Sequence, residues 1–186
     1  MAWIKMVEES EATGHIKATY EAMQRQMGFV PNVTKAFSLW PEVFDLQNRL
    51  YETVMLAKTE LPNPIKEMIA LVTSKANSCN YCVTHHGEFL VRYGIGRNVV
   101  RRLESDFHKA QVDEKTRQLL DYVSKVTHNA YKVTDEEVAA LREVGWTDRQ
   151  ILEATVVAAQ FNFINRIVDA LGVELEPAAA AQAAPQ

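Results

Sequence analysis

The chain has only two cysteines, and they stand three residues apart in SCNYCVTHHGEFL as Cys79 and Cys82, with His86 four residues further on. Each residue of a helix turns the chain by about 100°, so these three side chains fall within an arc of about 60°. They would share one face. His85 points about 120° away from Cys79 on the same wheel, which leaves His86 as the histidine able to reach the sulfurs. The chemistry that such a face serves is thiolate chemistry. A thiol with the ordinary pKa of ~8.5 is mostly protonated near neutrality, and only the thiolate attacks a peroxide or a disulfide. The first turn of a helix offers an anion its unpaired N–H groups and the positive end of the dipole. A histidine one turn on can take the proton, and a neighbouring thiol can condense with the sulfenic acid that a peroxide leaves behind.

Plainer roles compete for the same residues. Cysteine is among the most buried residue types, so the pair could be small core hydrophobes. Both sulfurs could bind zinc with His86 and His85, although ligands drawn from eight helical residues do not readily surround a tetrahedral ion. A structural disulfide is a third role, disfavoured in a reducing compartment. The redox reading leads because the only two cysteines fall at a redox spacing beside a histidine. Taken alone, Glu67 reads as a surface carboxylate, solvated or paired with Lys66.

The elements that must position these groups are helical. Gly is rare, no strand-like alternation persists, and apolar residues recur at spacings of three and four. A first helix is predicted over His15 to Met27, stopped by Gly28, and a second over Thr34 to Ala57, kinked or broken at Pro41. Leu61-Pro62-Asn63-Pro64 then breaks the chain, with Asn63 as candidate cap and Pro64 at the first helical position. The helix that follows is apolar on most sides, through Ile65, Met68, Ile69, Val72 and Ala76 on one stripe and Ala70 and Leu71 on the other, and is expected to be buried. After Asn77 the site helix runs from near Cys79 to Tyr93, with Ser78 as candidate cap and Gly94 as stop. Further helices are expected over Asn98 to His108, Asp113 to Asn129, Thr134 to Val144 behind a Thr134/Glu137 capping box, and Thr147 to Leu171. The segments Pro64 to Cys82 and Asp148 to Asn165 are loosely alike, which hints at a duplicated two-helix unit.

With 186 residues, 47% of them apolar, the chain suits one sizeable core, so a single all-α domain is expected over residues 1–175. The remainder, EPAAAAQAAPQ from Glu176, reads as a low-complexity tail, disordered or loosely helical, with no function assigned. The net charge of −4 speaks against nucleic acid, and the three arginines within Arg97 to Arg102 read as a solvated helix end. The opening MAWIKMVEESEATG has no apolar run behind Lys5, Glu8 and Glu9, and no stretch approaches ~20 consecutive apolar residues. No membrane contact is therefore expected, and the cytoplasm is the expected location.

Lys66 to Leu90, KEMIALVTSKANSCNYCVTHHGEFL, resembles the active-site segment of the alkylhydroperoxidase D-like branch of the carboxymuconolactone decarboxylase superfamily. That pattern is a glutamate, eleven residues, then C-x-x-C-x-x-x-H, and Glu67, Cys79, Cys82 and His86 match it in type and spacing. GFVPN, Gly28 to Asn32, and FNFINRIVDALGVELEP, Phe161 to Pro177, are similar to the subgroup called peroxidase-related enzymes. The resemblance implies an all-α bundle with a helical-hairpin core, assembled as a trimer or hexamer, working without cofactor or metal. It implies that Glu67 acts through His86, with a water, to deprotonate Cys82, that Cys82 attacks a hydroperoxide, and that Cys79 resolves the product into a disulfide. A dithiol partner, lipoyl-bearing or thioredoxin-like, would then reduce the disulfide. One departure stands out: Tyr81 occupies the place just before the second cysteine where typical members carry a histidine. A phenol can donate a hydrogen bond there but does not act as a base near neutrality, so the relay is shorter by one group. Two rival functions remain at this point: a redox-sensing or disulfide-exchange module without turnover, and a cofactor-free decarboxylase like the superfamily's namesake, whose chemistry does not need the cysteine pair.

Overall fold

Prolines and left-handed glycines set many of the helix boundaries in the computed structural model, which describes residues 2–177 and contains no strand among them. Helix α1 (Gly14–Met27) stops at Gly28, whose φ of 82° needs no Cβ to be avoided. Helix α2 (Asn32–Lys35) is a single turn, and α3 (Pro41–Tyr51) starts at Pro41, so the segment predicted to be kinked or broken there is broken. Pro41 opens α3 because the first helical turn has no use for the missing N–H. Helix α3 runs on into a π-helical turn, Glu52–Leu56.

Next come α4 (Asn63–Ala76), α5 (Asn80–Arg92), α6 (Arg97–Ser105), α7 (Glu114–Asn129), α8 (Asp135–Glu143) and α9 (Asp148–Ala170). Asn63, expected to cap α4, is its first residue instead, and its side chain donates to the Tyr93 hydroxyl at 3.2 Å. Asp113 caps α7 by accepting from the Thr116 N–H at 2.7 Å. The capping box of α8 forms as the sequence indicates: the Thr134 N–H donates to the Glu137 carboxylate at 2.9 Å and the Glu137 N–H donates back to Thr134 Oγ1 at 3.4 Å.

The chain divides into two compact units, Met1–Glu52 with Ile167–Gln186, and Thr53–Arg166. In the first unit Ala12, Ile16, Tyr20, Val30, Phe37 and Phe44 form the core. Glu176, assigned from the sequence to the tail, is buried here and accepts the Asn32 N–H at 2.6 Å. The rest of that tail, residues 178–186, lies outside the described residues.

In the second unit α4 packs chiefly against α5 and α7. Nine consecutive α4 residues, Lys66 to Ser74, are buried, as its apolar character on both sides requires. Among the described residues α9 is the one helix long and apolar enough to cross a membrane by length and composition alone. Its buried residues include Glu153, Gln160 and Asn165, a mixture suited to a helix packed inside protein.

Candidate active site

The site begins at the end of α4. The Ser78 N–H donates to the Lys75 carbonyl at 3.0 Å and the Cys79 N–H to the Ser74 carbonyl at 2.9 Å, the pair of bonds that closes a helix through a left-handed residue. Ser78 is that residue, with φ at 61°, and it is the only described non-glycine with positive φ. It is therefore not the cap of α5. Cys79 is, with φ −80° and ψ 94°, and its carbonyl accepts the first helical bond, from the Val83 N–H at 3.0 Å. Cys79 thus ends one helix and opens the next. Cys82, three residues on, sits in the first turn of α5, where the amides and the dipole favour an anion. Both thiols are buried, Cys79 completely and Cys82 at 3% exposure.

One turn beyond Cys82, on the same side of α5, comes His86, also buried. Its Nδ1 lies 2.5 Å from Glu67 Oε2, a short contact between two side chains that are each 5% exposed. The pairing follows from α4: a carboxylate on a helix buried all round has no water to turn to, and only a hydrogen-bonding partner offsets its desolvation. The surface-carboxylate reading of Glu67 is overturned for that reason. Lys66, its supposed partner, instead donates from Nζ to the Ala57 carbonyl at 2.8 Å, and burial pushes its pKa down from the ordinary lysine value. With Nδ1 engaged by Glu67, Nε2 is the ring nitrogen left to exchange a proton. The Phe161 ring meets His86 edge-on, centroids 4.4 Å apart, and Phe89 stands at 5.9 Å.

Tyr81 is buried and its ring lies 4.5 Å from that of His85, so the residue that replaces the expected histidine packs with the histidine that points elsewhere. Among the described residues no group of three His, Cys, Asp or Glu side chains converges as a metal site.

Two supports came only with the tertiary structure. Phe161 is one. The other is an asparagine clamp behind Cys79: Asn165 donates to Ser74 Oγ at 3.0 Å, and Asn77 donates to Asn165 Oδ1 at 2.9 Å and to Asn162 Oδ1 at 3.1 Å. It ties the turn before Cys79 to α9. The trace it leaves in the sequence is two asparagines, Asn162 and Asn165, three apart among the apolar residues of the second half of α9.

The all-α fold and the α4–α5 hairpin are those of the alkylhydroperoxidase D-like class, and solved structures agree. An alkylhydroperoxidase AhpD core, a peroxidase-related protein from Ralstonia eutropha JMP134, is 28% identical with a TM-score of 0.91 over 96% of this chain and 94% of its own. A peroxidase-related protein from Silicibacter sp. TM1040 is 26% identical with a TM-score of 0.86, over 95% and 90% of the two chains. The debrominase Bmp8, crystallised with 2,3,4-tribromopyrrole, is 21% identical with a TM-score of 0.81 over 96% and 94%, a likeness of fold. Residues 2–186 match the family model described as PA26 p53-induced protein (sestrin), and the chain belongs to that family. No curated protein matches it.

Proposed function

We propose that this protein is a thiol-dependent hydroperoxide reductase with Cys82 as nucleophile, Cys79 as resolving thiol, His86 as proton acceptor and Glu67 as the group that orients and charges His86. The observation that carries this reading is the buried Glu67–His86 contact at 2.5 Å, on the helix face that bears Cys82. His86 is four residues from Cys82 and seven from Cys79, which favours Cys82 as the thiol it deprotonates. Cys82 also keeps the little exposed surface that the pair has, so a small hydroperoxide suits it. The names of the two peroxidase-related neighbours support the same class of activity.

In the cycle the Cys82 thiolate attacks the terminal oxygen of ROOH, the O–O bond breaks, and ROH leaves with the proton held on His86. Cys82 is then a sulfenic acid. The Cys79 thiol condenses with it, forming the S–S bond and releasing water. A dithiol donor, a lipoyl-bearing or thioredoxin-like protein of the cytoplasm, supplies two electrons and two protons and becomes a disulfide itself. The exposed Leu152, Val156 and Phe163 on α9 support self-association, as a trimer or hexamer.

Peroxide consumption driven by a dithiol donor tests the assignment: the wild type turns over and Cys82→Ser does not, and equal rates would sink it. Complete burial of Cys79 favours a second reading, a redox-sensing module in which the disulfide switches a partner. Oxidation that stops at one equivalent and is not recycled by any dithiol would select that reading.

A further inference from the structure

Asn165 has no exposed surface, and both ends of its amide are committed to the turn that precedes Cys79. Its Nδ2–H donates to Ser74 Oγ at 3.0 Å, and its Oδ1 accepts from Asn77 Nδ2 at 2.9 Å. One side chain thus bridges the two sides of that turn. Asn162 Oδ1 accepts from the same Asn77 amide at 3.1 Å. Desolvation of a buried amide is offset only when its groups are bonded, and here every bond of the Asn165 side chain falls on the turn.

Cys79 is joined to the same turn through its backbone. Its N–H donates at 2.9 Å to the carbonyl of Ser74, the residue whose hydroxyl Asn165 holds, and its own carbonyl accepts from the Val83 N–H at 3.0 Å. Between Asn77 and Cys79 stands Ser78 at φ 61°, a conformation unfavourable for a residue with a Cβ. Without its neighbours the turn has other conformations open to it, and the Cys79 backbone would move with it. A disulfide accepts only a narrow range of Cα and Cβ separations, so the conformation of this turn decides how often the Cys79 sulfur stands within reach of Cys82.

Resting on the Cys79–Cys82 disulfide of the cycle proposed above, we infer that Asn165 is a positioning residue for the resolving thiol: by bridging Ser74 and Asn77 it holds Cys79 where its sulfur closes on Cys82. Asn165 itself touches no reacting atom. In the step it serves, the Cys79 thiol attacks the sulfur of the Cys82 sulfenic acid, the S–O bond breaks, the S–S bond forms and water leaves. A turn fixed beforehand loses little freedom when that bond closes, which raises the effective concentration of one thiol at the other. Loosening the turn therefore favours the dithiol and slows resolution. The sulfenic acid then meets a second peroxide more often and goes on to sulfinic acid. Formation of the Cys82 thiolate, the work of His86 and Glu67, is left as it was.

The test compares the full-length wild type with Asn165→Ala and Asn77→Ala, each equilibrated in mixtures of oxidised and reduced dithiothreitol and then alkylated to count free thiols. Asn165→Ala is expected to lower the equilibrium constant for the disulfide about tenfold, a rise in reduction potential of about 30 mV. Under excess tert-butyl hydroperoxide it should accumulate more Cys82 sulfinic acid than the wild type, as read by mass spectrometry, while the pH profile of Cys82 alkylation stays in place. Asn77→Ala removes one side of the bridge at a half-buried residue. It should shift the equilibrium the same way by a smaller factor, and it decides the matter if Asn165→Ala does not fold. A redox equilibrium that stays put, or moves toward the disulfide, overturns the inference even if Tm falls, because the clamp is then structural only. The peroxidase reading is judged separately, by Cys82→Ser. A wild type whose two thiols form no disulfide overturns both.

Discussion

In the first unit the Lys35 side chain is 9% exposed, but the carboxylates it meets, Glu9 at 2.9 Å and Glu8 at 3.3 Å, keep about half their surface in water. In the second unit Glu67 and His86 are both dry. An ion pair with one wet partner stabilises a fold cheaply, because only one charge is dehydrated. A pair with both partners buried costs more to form than a hydrocarbon contact would, so its retention points to chemistry more than to stability.

Removing the charge from the dry pair sharpens this comparison most. Glu67→Gln should slow peroxide consumption and thiol alkylation on the order of 10²-fold, the size of a lost acid–base contribution, while thermal unfolding shows little or no loss of stability. Unchanged rates with a fallen Tm would class Glu67 with Lys35 as structural.

The converse change, Lys35→Met, should cost about 1–2 kcal/mol of stability in urea unfolding and leave turnover alone. Burial alone would lower the pKa of Lys35, but its bonds to Glu9 and Glu8 outweigh that and raise it. A raised lysine contributes stability that is fully present below the unfolded value near 10.5 and is lost as pH climbs through the folded value. The gap between wild type and Lys35→Met should therefore persist at neutral pH and close only in strong alkali.

Backbone strain gives a smaller contrast within the second unit. Ser78 and Gly145 close their helices with the same pair of hydrogen bonds at positive φ, 61° and 91°. Ser78→Gly should stabilise by about 0.5–1 kcal/mol, and Gly145→Ser should destabilise by a similar amount. A Cβ on Gly145 would meet Lys115 Nζ only at 3.6 Å, so strain and not collision would set the cost. No gain at Ser78 would mean that the asparagine clamp, and not the residue, holds that turn.

The smallest effect concerns a half-buried carboxylate without a dry partner. Burial first, and then the charge of Glu88, raise the pKa of Glu104. The stability this confers is present at acid pH, where Glu104 is neutral, and is lost as pH rises through the folded value. Glu104→Gln should accordingly stabilise near neutral pH and not in acid, within about 0.5 kcal/mol, as read by denaturant unfolding at both pH values.

Much of the fold was legible because its signals are local. Gly28, Gly94 and Gly145 end helices, Thr134 and Glu137 box one, and Cys82 with His86 share a helical face, since caps and periodicity act over one turn. Local signals also misled. Ser78 looked like a cap but is the left-handed residue that closes α4, and Asn63 looked like a cap but is the first residue of α4.

By itself, then, the sequence determined that the chain is helical and that two thiols and an imidazole stand in order along one segment. Only the tertiary structure decided what closes over them: Glu67 reaches His86 across 19 residues, and Asn165 reaches Asn77 across 88. The reason is that periodicity fixes which side chains share a face, whereas hydrophobic burial has no direction and leaves the choice of covering helix to packing.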